Sequence, residues 1–162
     1  AEAMRAMDLP GCLHYVFQKG LRIGKLVRNK MAFEKGSRLF YTAIHNIASG
    51  HFGKIQDKSL LIVGYSSLGK GLLDYFRKLG VAKISIATRY KEALAKRLVM
   101  LEEVHSRDLL CRWMEFDWIL CAAQSDGYLI EGKGRKGQLI LDLGVPRNVN
   151  PNIEGSVLWN LE

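Results

Sequence analysis

The spacing of apolar residues divides the chain into a helical part and a part in which strands and helices alternate. A first helix is predicted by apolar residues that recur at helical spacing between Leu13 and Arg28. A second helix is predicted after Ser37, a good N-cap candidate, and should end by Gly53. Its apolar face consists of Phe40, Ala43, Ile44, Ile47 and Ala48. We therefore expect residues 1–54 to form a helical segment.

From residue 59 onward, short apolar runs typical of buried strands alternate with helical patterns. The predicted elements are strand 59–64, helix 68–79, strand 83–87, helix 91–100, a short strand near Val104 with an irregular helix behind it, strand 117–122, a turn over 132–137, strand 138–143 and an edge strand over 157–159. This order implies right-handed crossovers and a doubly wound sheet. We therefore expect residues 55–162 to form a Rossmann-like α/β domain with a mainly parallel sheet.

Composition excludes several classes of protein. Hydrophobic residues make up 48% and charged residues 25% of the 162 positions, a balance typical of a folded domain rather than of disorder. The cysteines Cys12, Cys111 and Cys121 are widely spaced and have no nearby histidine, so we expect reduced thiols in a cytoplasmic protein and no metal site. The longest apolar runs are strand-sized, so no association with a membrane is expected.

The net charge of +8 is unevenly distributed along the chain. Residues 1–58 hold ten Lys and Arg against four Asp and Glu, a balance of +6, whereas residues 59–162 hold fourteen against twelve, a balance of +2. A basic amino-terminal part suits contact with an RNA backbone. Solvated helix faces are the alternative explanation of the same charges.

A glycine turn joins the first predicted strand to its helix. Gly64 and Gly69 stand at the first and third glycine positions of a dinucleotide fingerprint, whereas Ser66 replaces the second. A helix N-terminus presents unpaired N–H groups and a partial positive charge, so a pyrophosphate can dock there when the backbone comes close. Tyr65 and Ser66 add side chains to this approach, although their hydroxyls are also phosphate ligands. On this motif alone, nucleotide binding and a purely structural turn both stay open.

The end of the second strand bears on the choice of cofactor. An acidic residue there would bind the ribose hydroxyls of NAD, but the chain instead has Thr88 and Arg89. A hydroxyl and a guanidinium suit a 2′-phosphate, and Lys91 and Lys96 add positive potential. The alternative is that Arg89 is an exposed arginine without a ligand.

As a whole, the sequence resembles glutamyl-tRNA reductase, and the resemblance runs nearly end to end. Residues 13–28 resemble the helix ahead of that family's nucleotide domain, 64–69 its glycine turn, 86–90 its Asn-Arg-Thr element, 117–123 its strand before the nicotinamide, and 141–151 its Asp-Leu-Ala-Val-Pro-Arg-Asp segment. The last match is the most specific, because few dinucleotide domains follow a strand with Val-Pro-Arg. Pro146 stiffens the chain there, and Arg147 is placed to face a cofactor or to pair structurally.

The resemblance implies a site for NADPH and a reaction in tetrapyrrole (porphyrin and heme) biosynthesis. A cysteine thiolate of the family attacks the ester of glutamyl-tRNA, and NADPH reduces the thioester to glutamate-1-semialdehyde. That cysteine lies in a domain that would precede Ala1, so residues 1–54 would be the end of the catalytic domain and a connecting helix. No residue of this chain is assigned as catalytic. The cofactor-binding residues are expected to be Gly64, Tyr65, Ser66, Ser67, Leu68, Gly69, Thr88, Arg89, Ala122, Ala123, Pro146 and Arg147.

The resemblance also implies partners for the parent enzyme. These are glutamyl-tRNA, glutamate-1-semialdehyde aminotransferase, and a second copy bound through a helix that would follow Glu162. Two other functions stay open on the sequence. One is an NADP domain like that of shikimate dehydrogenase, and the other is a non-catalytic RNA- or protein-binding module that has lost its nucleotide.

Overall fold

The computed structural model describes residues 19, 33–88, 103–105 and 107–161. Apart from Lys19, which is helical, the helix predicted over 13–28 lies outside the described residues. The helix predicted over 91–100 and the side chain of Arg89 lie outside them as well. Contacts within the chain define two units, residues 1–45 and 46–162. The predicted domain boundary between residues 54 and 55 stays a prediction.

Helix α1 (Phe33–Phe52) begins earlier than the sequence indicates. Ser37 lies inside the helix, so its assignment as the N-cap is wrong. No proline lies between Phe33 and Ser37, and Gly36 costs a helix only about 1 kcal/mol relative to alanine, so the sequence allows the earlier start. The predicted end is confirmed, because Gly53 follows Phe52 with a φ of +71°, a conformation that glycine adopts readily.

Within the described residues, six strands form one sheet in which all neighbouring pairs are parallel. They are β1 (Ser59–Val63), β2 (Lys83–Ala87), β3 (Glu103–His105), β4 (Trp118–Cys121), β5 (Leu139–Asp142) and β6 (Val157–Asn160). Their order across the sheet is β3-β2-β1-β4-β5-β6. The chain starts in the middle, builds outward in one direction and then returns to build in the other, so the predicted doubly wound Rossmann-like fold is confirmed.

In the described residues, one helical segment connects β1 to β2 and another connects β3 to β4. Helix α2 (Ser67–Lys78) leads from β1 to β2, close to the predicted bounds. A 3₁₀ helix (Arg107–Glu115), kinked at Arg112, precedes β4 and corresponds to the predicted irregular helix. In the part of the chain that the structure describes, no helix is both long and apolar enough to cross a membrane.

The core lies against the central strands because their sequences are almost continuously apolar. Every residue of β4 and β5 is buried, as expected for parallel strands covered on both faces. Trp118 is fully buried on one face, where its ring meets Phe76 edge-on at 4.8 Å and Phe52 at 6.4 Å. The central strands are thereby held rigidly, and their carboxyl ends form a fixed frame for a site.

Candidate functional site

A cleft opens where β1, β2 and β4 end, at the point where the strand order reverses. Ligands of doubly wound sheets bind at this position. The cleft encloses a cavity of about 250 Å³. Its lining residues are Val63, Gly64, Tyr65, Ser66, Ala87, Thr88, Leu110, Ala122, Ala123, Gln124, Ser125 and Leu129. None of these side chains is charged, so the cavity presents apolar groups, hydroxyls and one amide.

The glycine turn is required by close backbone contacts. Gly64 has a φ of +95°, and a Cβ there would lie 2.7 Å from the Cα of Ala123 and 2.8 Å from the carbonyl oxygen of Ala122. A Cβ on Gly69 would collide with the carbonyl oxygen of Gly64, so α2 packs directly onto the end of β1. The first and third glycines of the fingerprint therefore serve the turn and the packing of helix on strand.

Ser66 occupies the N-cap position of α2 without capping the helix. Its backbone is extended, with φ −74° and ψ −178°, and its hydroxyl donates a long hydrogen bond of 3.4 Å to the carbonyl oxygen of Ala122. No acidic side chain lies in the first turn of α2. The N-terminus of this helix thus borders the cavity with a partial positive charge that neither a cap nor a carboxylate offsets.

The end of β2 contributes Thr88 to the cavity wall. Thr88 is buried, and its neighbour Arg89 lies beyond the described residues. No carboxylate stands among the lining residues at this strand end, where an acidic ribose ligand is usual in NAD sites.

A buried carboxylate organises the loop that follows β5. One oxygen of Asp142, Oδ1, accepts a hydrogen bond of 3.0 Å from the N–H of Gly144. The other, Oδ2, accepts bonds of 2.8 Å from the N–H of Asn148 and 2.9 Å from that of Val149. Charge-assisted bonds of this kind are the stronger hydrogen bonds in proteins. Asp142 therefore fixes both ends of the segment that carries Pro146.

This loop in turn holds one wall of the cavity. The carbonyl oxygen of Asn148 accepts hydrogen bonds from the N–H groups of Leu129, at 2.6 Å, and Ile130, at 3.1 Å. Leu129 lines the cavity. The Asn148 side chain lies so close to Gly144 that a Cβ at that glycine would meet its amide at 2.7 Å. The position of Leu129 thus depends on Asp142 through the backbone of Asn148.

The structure brings half of the predicted cofactor residues to the cavity. Those that line it are Gly64, Tyr65, Ser66, Thr88, Ala122 and Ala123. Ser67, Leu68 and Gly69 lie in the first turn of α2, next to it. Pro146, which is exposed and follows a cis peptide bond, and Arg147, which is half-buried, belong to the loop after β5 and are not among the lining residues.

Four lining residues outside the strands were not predicted. Gln124 and Ser125 directly follow the predicted Ala122 and Ala123, so the rule that ligands bind beyond the carboxyl ends of strands would have found them. Leu110 and Leu129 come from an irregular helix and a loop. Their apolar side chains have no periodic pattern that marks them, and only the fold brings them to the cleft.

The two described cysteines differ in their surroundings. Cys121 is fully buried in β4, and burial together with the nearby carboxylate of Asp142 raises the pKa of its thiol well above the ordinary value. A thiol that stays protonated is a poor nucleophile. Cys111 is exposed on the 3₁₀ helix.

Comparison with known proteins identifies the fold family. The sequence profile of the shikimate / quinate 5-dehydrogenase family matches residues 46–160, most of the chain. The chain belongs to the shikimate / quinate 5-dehydrogenase family.

Several curated glutamyl-tRNA reductases match most of the chain, so the resemblance stated from the sequence is confirmed. The enzyme of Rubrobacter xylanophilus is 30% identical over 93% of the chain and 38% of its own length. The glutamyl-tRNA reductase structure from Methanopyrus kandleri, 22% identical, matches 92% of the chain and 42% of its own with a TM-score of 0.57. The nucleotide-binding domain of the Thermoplasma volcanium enzyme, also 22% identical, matches 72% of the chain and 83% of its own with a TM-score of 0.54.

The chain spans about two fifths of the length of the curated relatives that it matches. The two solved structures support the same Rossmann-type fold. These glutamyl-tRNA reductases are oxidoreductases by name, and their match over most of the chain makes the shikimate dehydrogenase-like alternative the weaker one.

Proposed function

We propose that this chain is the NADPH-binding part of a glutamyl-tRNA reductase, which reduces glutamyl-tRNA to glutamate-1-semialdehyde in tetrapyrrole biosynthesis. The observation that carries the proposal is the match to curated glutamyl-tRNA reductases over 93% of the chain, including the residues that form the cleft. The fold alone would not support it, because the same sheet serves many reactions.

The cleft has the chemistry that a dinucleotide needs. The turn at Gly64 brings the chain after β1 close to the backbone of Ala122 and Ala123. The uncapped N-terminus of α2 supplies N–H groups and positive potential for a pyrophosphate. Among the described residues, the wall at Thr88 carries no carboxylate, which is the group that would repel a 2′-phosphate. Together with Arg89, which follows in sequence, this wall favours NADPH over NADH in our proposal.

In the proposed reaction this chain binds and orients, and the acyl chemistry belongs to another domain. NADPH, when bound, supplies the hydride that reduces the activated acyl group. Apolar side chains such as Leu110 and Leu129 exclude water from the cavity, while Ala122 and Ala123 leave room beside β4. We assign no nucleophile to the chain, and the raised pKa of Cys121 supports that assignment for this residue.

The remaining features of the parent enzyme belong to the same proposal. They are glutamyl-tRNA as substrate, glutamate-1-semialdehyde aminotransferase as partner, a homodimer formed through a C-terminal helix, and a cytoplasmic location. The names of the relatives support the first of these directly, since each is called a glutamyl-tRNA reductase.

A chimera tests the proposal. This chain would replace the corresponding part of the Rubrobacter xylanophilus enzyme, and NADPH consumption and semialdehyde formation would be followed with charged tRNA. We expect turnover by the chimera and none by the 162-residue chain alone. A folded chimera without activity would contradict the proposal. Turnover by the chain alone that disappears when Cys12, Cys111 and Cys121 are changed to serine would contradict the assignment of the nucleophile to another domain.

A further inference from the structure

Positive charge is concentrated at the edge of the sheet where the strands begin, opposite the cleft. We define this amino edge by residues 54–58, 77–83 and 133–138 together with Asp117. It holds eight Lys and Arg against two Asp, a balance of +6. The described segments that follow β1, β2, β4 and β5 at the other edge, residues 64–69, 88, 122–129 and 143–149, hold one Arg and one Asp. Within the described segments, the two edges therefore differ strongly in charge.

Hydrogen bonds between the segments hold the amino edge together. The Asp117 carboxylate accepts bonds of 2.8 Å from the N–H and hydroxyl of Ser59 and 2.8 Å from Arg135, which joins the starts of β1 and β4 to the loop before β5. His51 lies 3.0 Å from the carbonyl oxygen of Gly137. Gln56 donates to the carbonyl oxygen of Leu79 at the end of α2. The segments that carry the cations are thus connected to one another.

Half of these cations have a structural explanation. Lys54 pairs with Asp57, and Arg135 pairs with Asp117. Arg77 and Lys78 lie in the last turn of α2, where cations interact favourably with the helix dipole.

The other half are not explained in this way. They are Lys58, Lys83, Lys133 and Lys136. Lys58 lies over the ring of Phe52, and within the described part of the chain no carboxylate forms an ion pair with any of the four. Glu131 and Glu154 border the set and lower its net charge without reversing it.

The arrangement of these lysines favours a nucleic acid as partner. Lys83 opens β2, Lys58 directly precedes β1, and Lys136 lies three residues before β5, while Asp117, which pairs with Arg135, precedes β4 between them. Neighbouring strands are spaced about 4.8 Å apart. A row of cations matches a polymer with regularly repeated charge. Lysine is depleted at protein–protein interfaces, which also need an apolar core. The chemistry of the amino edge therefore fits phosphates better than an acidic protein.

We propose that the amino edge binds the phosphate backbone of tRNA. This inference rests on the proposed function, in which a tRNA ester is the substrate. In addition to the cleft, it assigns the amino edge of the domain a part in binding that substrate. The cofactor would occupy the cleft at the carboxyl ends of the strands, and the tRNA would contact the opposite edge.

The test measures binding of fluorescently labelled, uncharged glutamate tRNA to the 162-residue chain over a range of salt concentrations. Lys83→Ala and Lys136→Ala should each weaken binding and lower the slope of log K against log salt by about one. Lys70→Ala is the matched control, because Lys70 is an exposed lysine on α2 outside the amino edge. Lys83→Arg should bind the tRNA as tightly as the wild type, since it keeps the positive charge.

Equal losses from Lys70→Ala, or no loss from either amino-edge variant, would overturn the inference. Polyglutamate of similar charge serves as the competing partner. If it binds as tightly as tRNA with the same dependence on Lys83 and Lys136, the surface is one for acidic proteins and the inference is wrong. An NADPH titration of the same samples separates the two proposals. Loss of tRNA binding with intact NADPH binding would localise the defect to the amino edge. Absence of NADPH binding in every sample would contradict the proposed function alone.

Discussion

The buried carboxylate of Asp142 accepts a hydrogen bond of 2.8 Å from the backbone N–H of Asn148, and this bond links the end of β5 to the wall of the cleft. The carbonyl of the same Asn148 residue holds Leu129 in the cavity lining. The loop with the most specific sequence match thus acts on the cavity through backbone hydrogen bonds.

Asp142→Ala should lower the free energy of unfolding by about 3 kcal/mol, because three backbone N–H groups lose their acceptor in a buried loop. Chemical denaturation measures the change. Asp126→Ala removes an exposed carboxylate from the neighbouring loop and should change the stability by less than about 0.5 kcal/mol. Similar stabilities of the two variants would show that the Asp142 bonds contribute little.

Gly64→Ala should destabilise the fold by at least about 2 kcal/mol, since alanine is strained at positive φ and its Cβ would meet the backbone of Ala123. Gly50→Ala is the control, and it should change the free energy of unfolding in the opposite direction. Gly50 lies inside α1 with nothing within 4 Å of an added Cβ, so this change should stabilise by about 0.5–1 kcal/mol. A tolerated Gly64→Ala, measured by the same denaturation curves, would rule out the close approach described for the turn.

The stability of the amino edge should depend on pH through Asp117. Burial opposes ionisation of this carboxyl, but hydrogen bonds from Ser59 and Arg135 outweigh burial and lower its pKa. A lowered pKa stabilises the fold above the ordinary pKa of an aspartate, and this contribution is lost as the pH falls through the folded value. Asp117→Asn should therefore be less stable than wild type at pH 7, and the difference should shrink on acidification. A difference that is constant from pH 7 to pH 3 would contradict this account.

Ser66→Gly should strengthen NADPH binding, because it removes a side chain from the approach of the pyrophosphate. The structure shows only a long hydrogen bond from this hydroxyl to Ala122, so little structural support is lost. Ser66→Ala separates the two effects, since it removes the hydroxyl and keeps the Cβ. If Ser66→Gly and Ser66→Ala both weaken binding in a calorimetric titration, the hydroxyl is a ligand and the prediction is wrong.

Strands β1, β2 and β5 were predictable because each is a short apolar run that ends at, or just before, a glycine or a polar residue, and β2 was predicted at its observed bounds, Lys83–Ala87. The start of α1 was not predicted correctly, because a serine followed by a helical pattern is typical of an N-cap but also occurs inside helices, as Ser37 does. In the site, residues adjacent to strand ends were found, whereas Leu110 and Leu129 were missed. The position of Leu129 depends on a tertiary hydrogen bond to Asn148, which local sequence does not encode.

The central claim is that the cleft binds NADPH, and a calorimetric titration of the 162-residue chain with NADPH and with NADH tests it most directly. The wild type should bind NADPH far more tightly than NADH, and Arg89→Ala should remove most of this preference, because the guanidinium is proposed to pair with the 2′-phosphate. Lys70→Ala, which removes an exposed cation from α2, should leave the preference unchanged. No binding of NADPH by the folded wild-type chain, or tighter binding of NADH, would contradict the account.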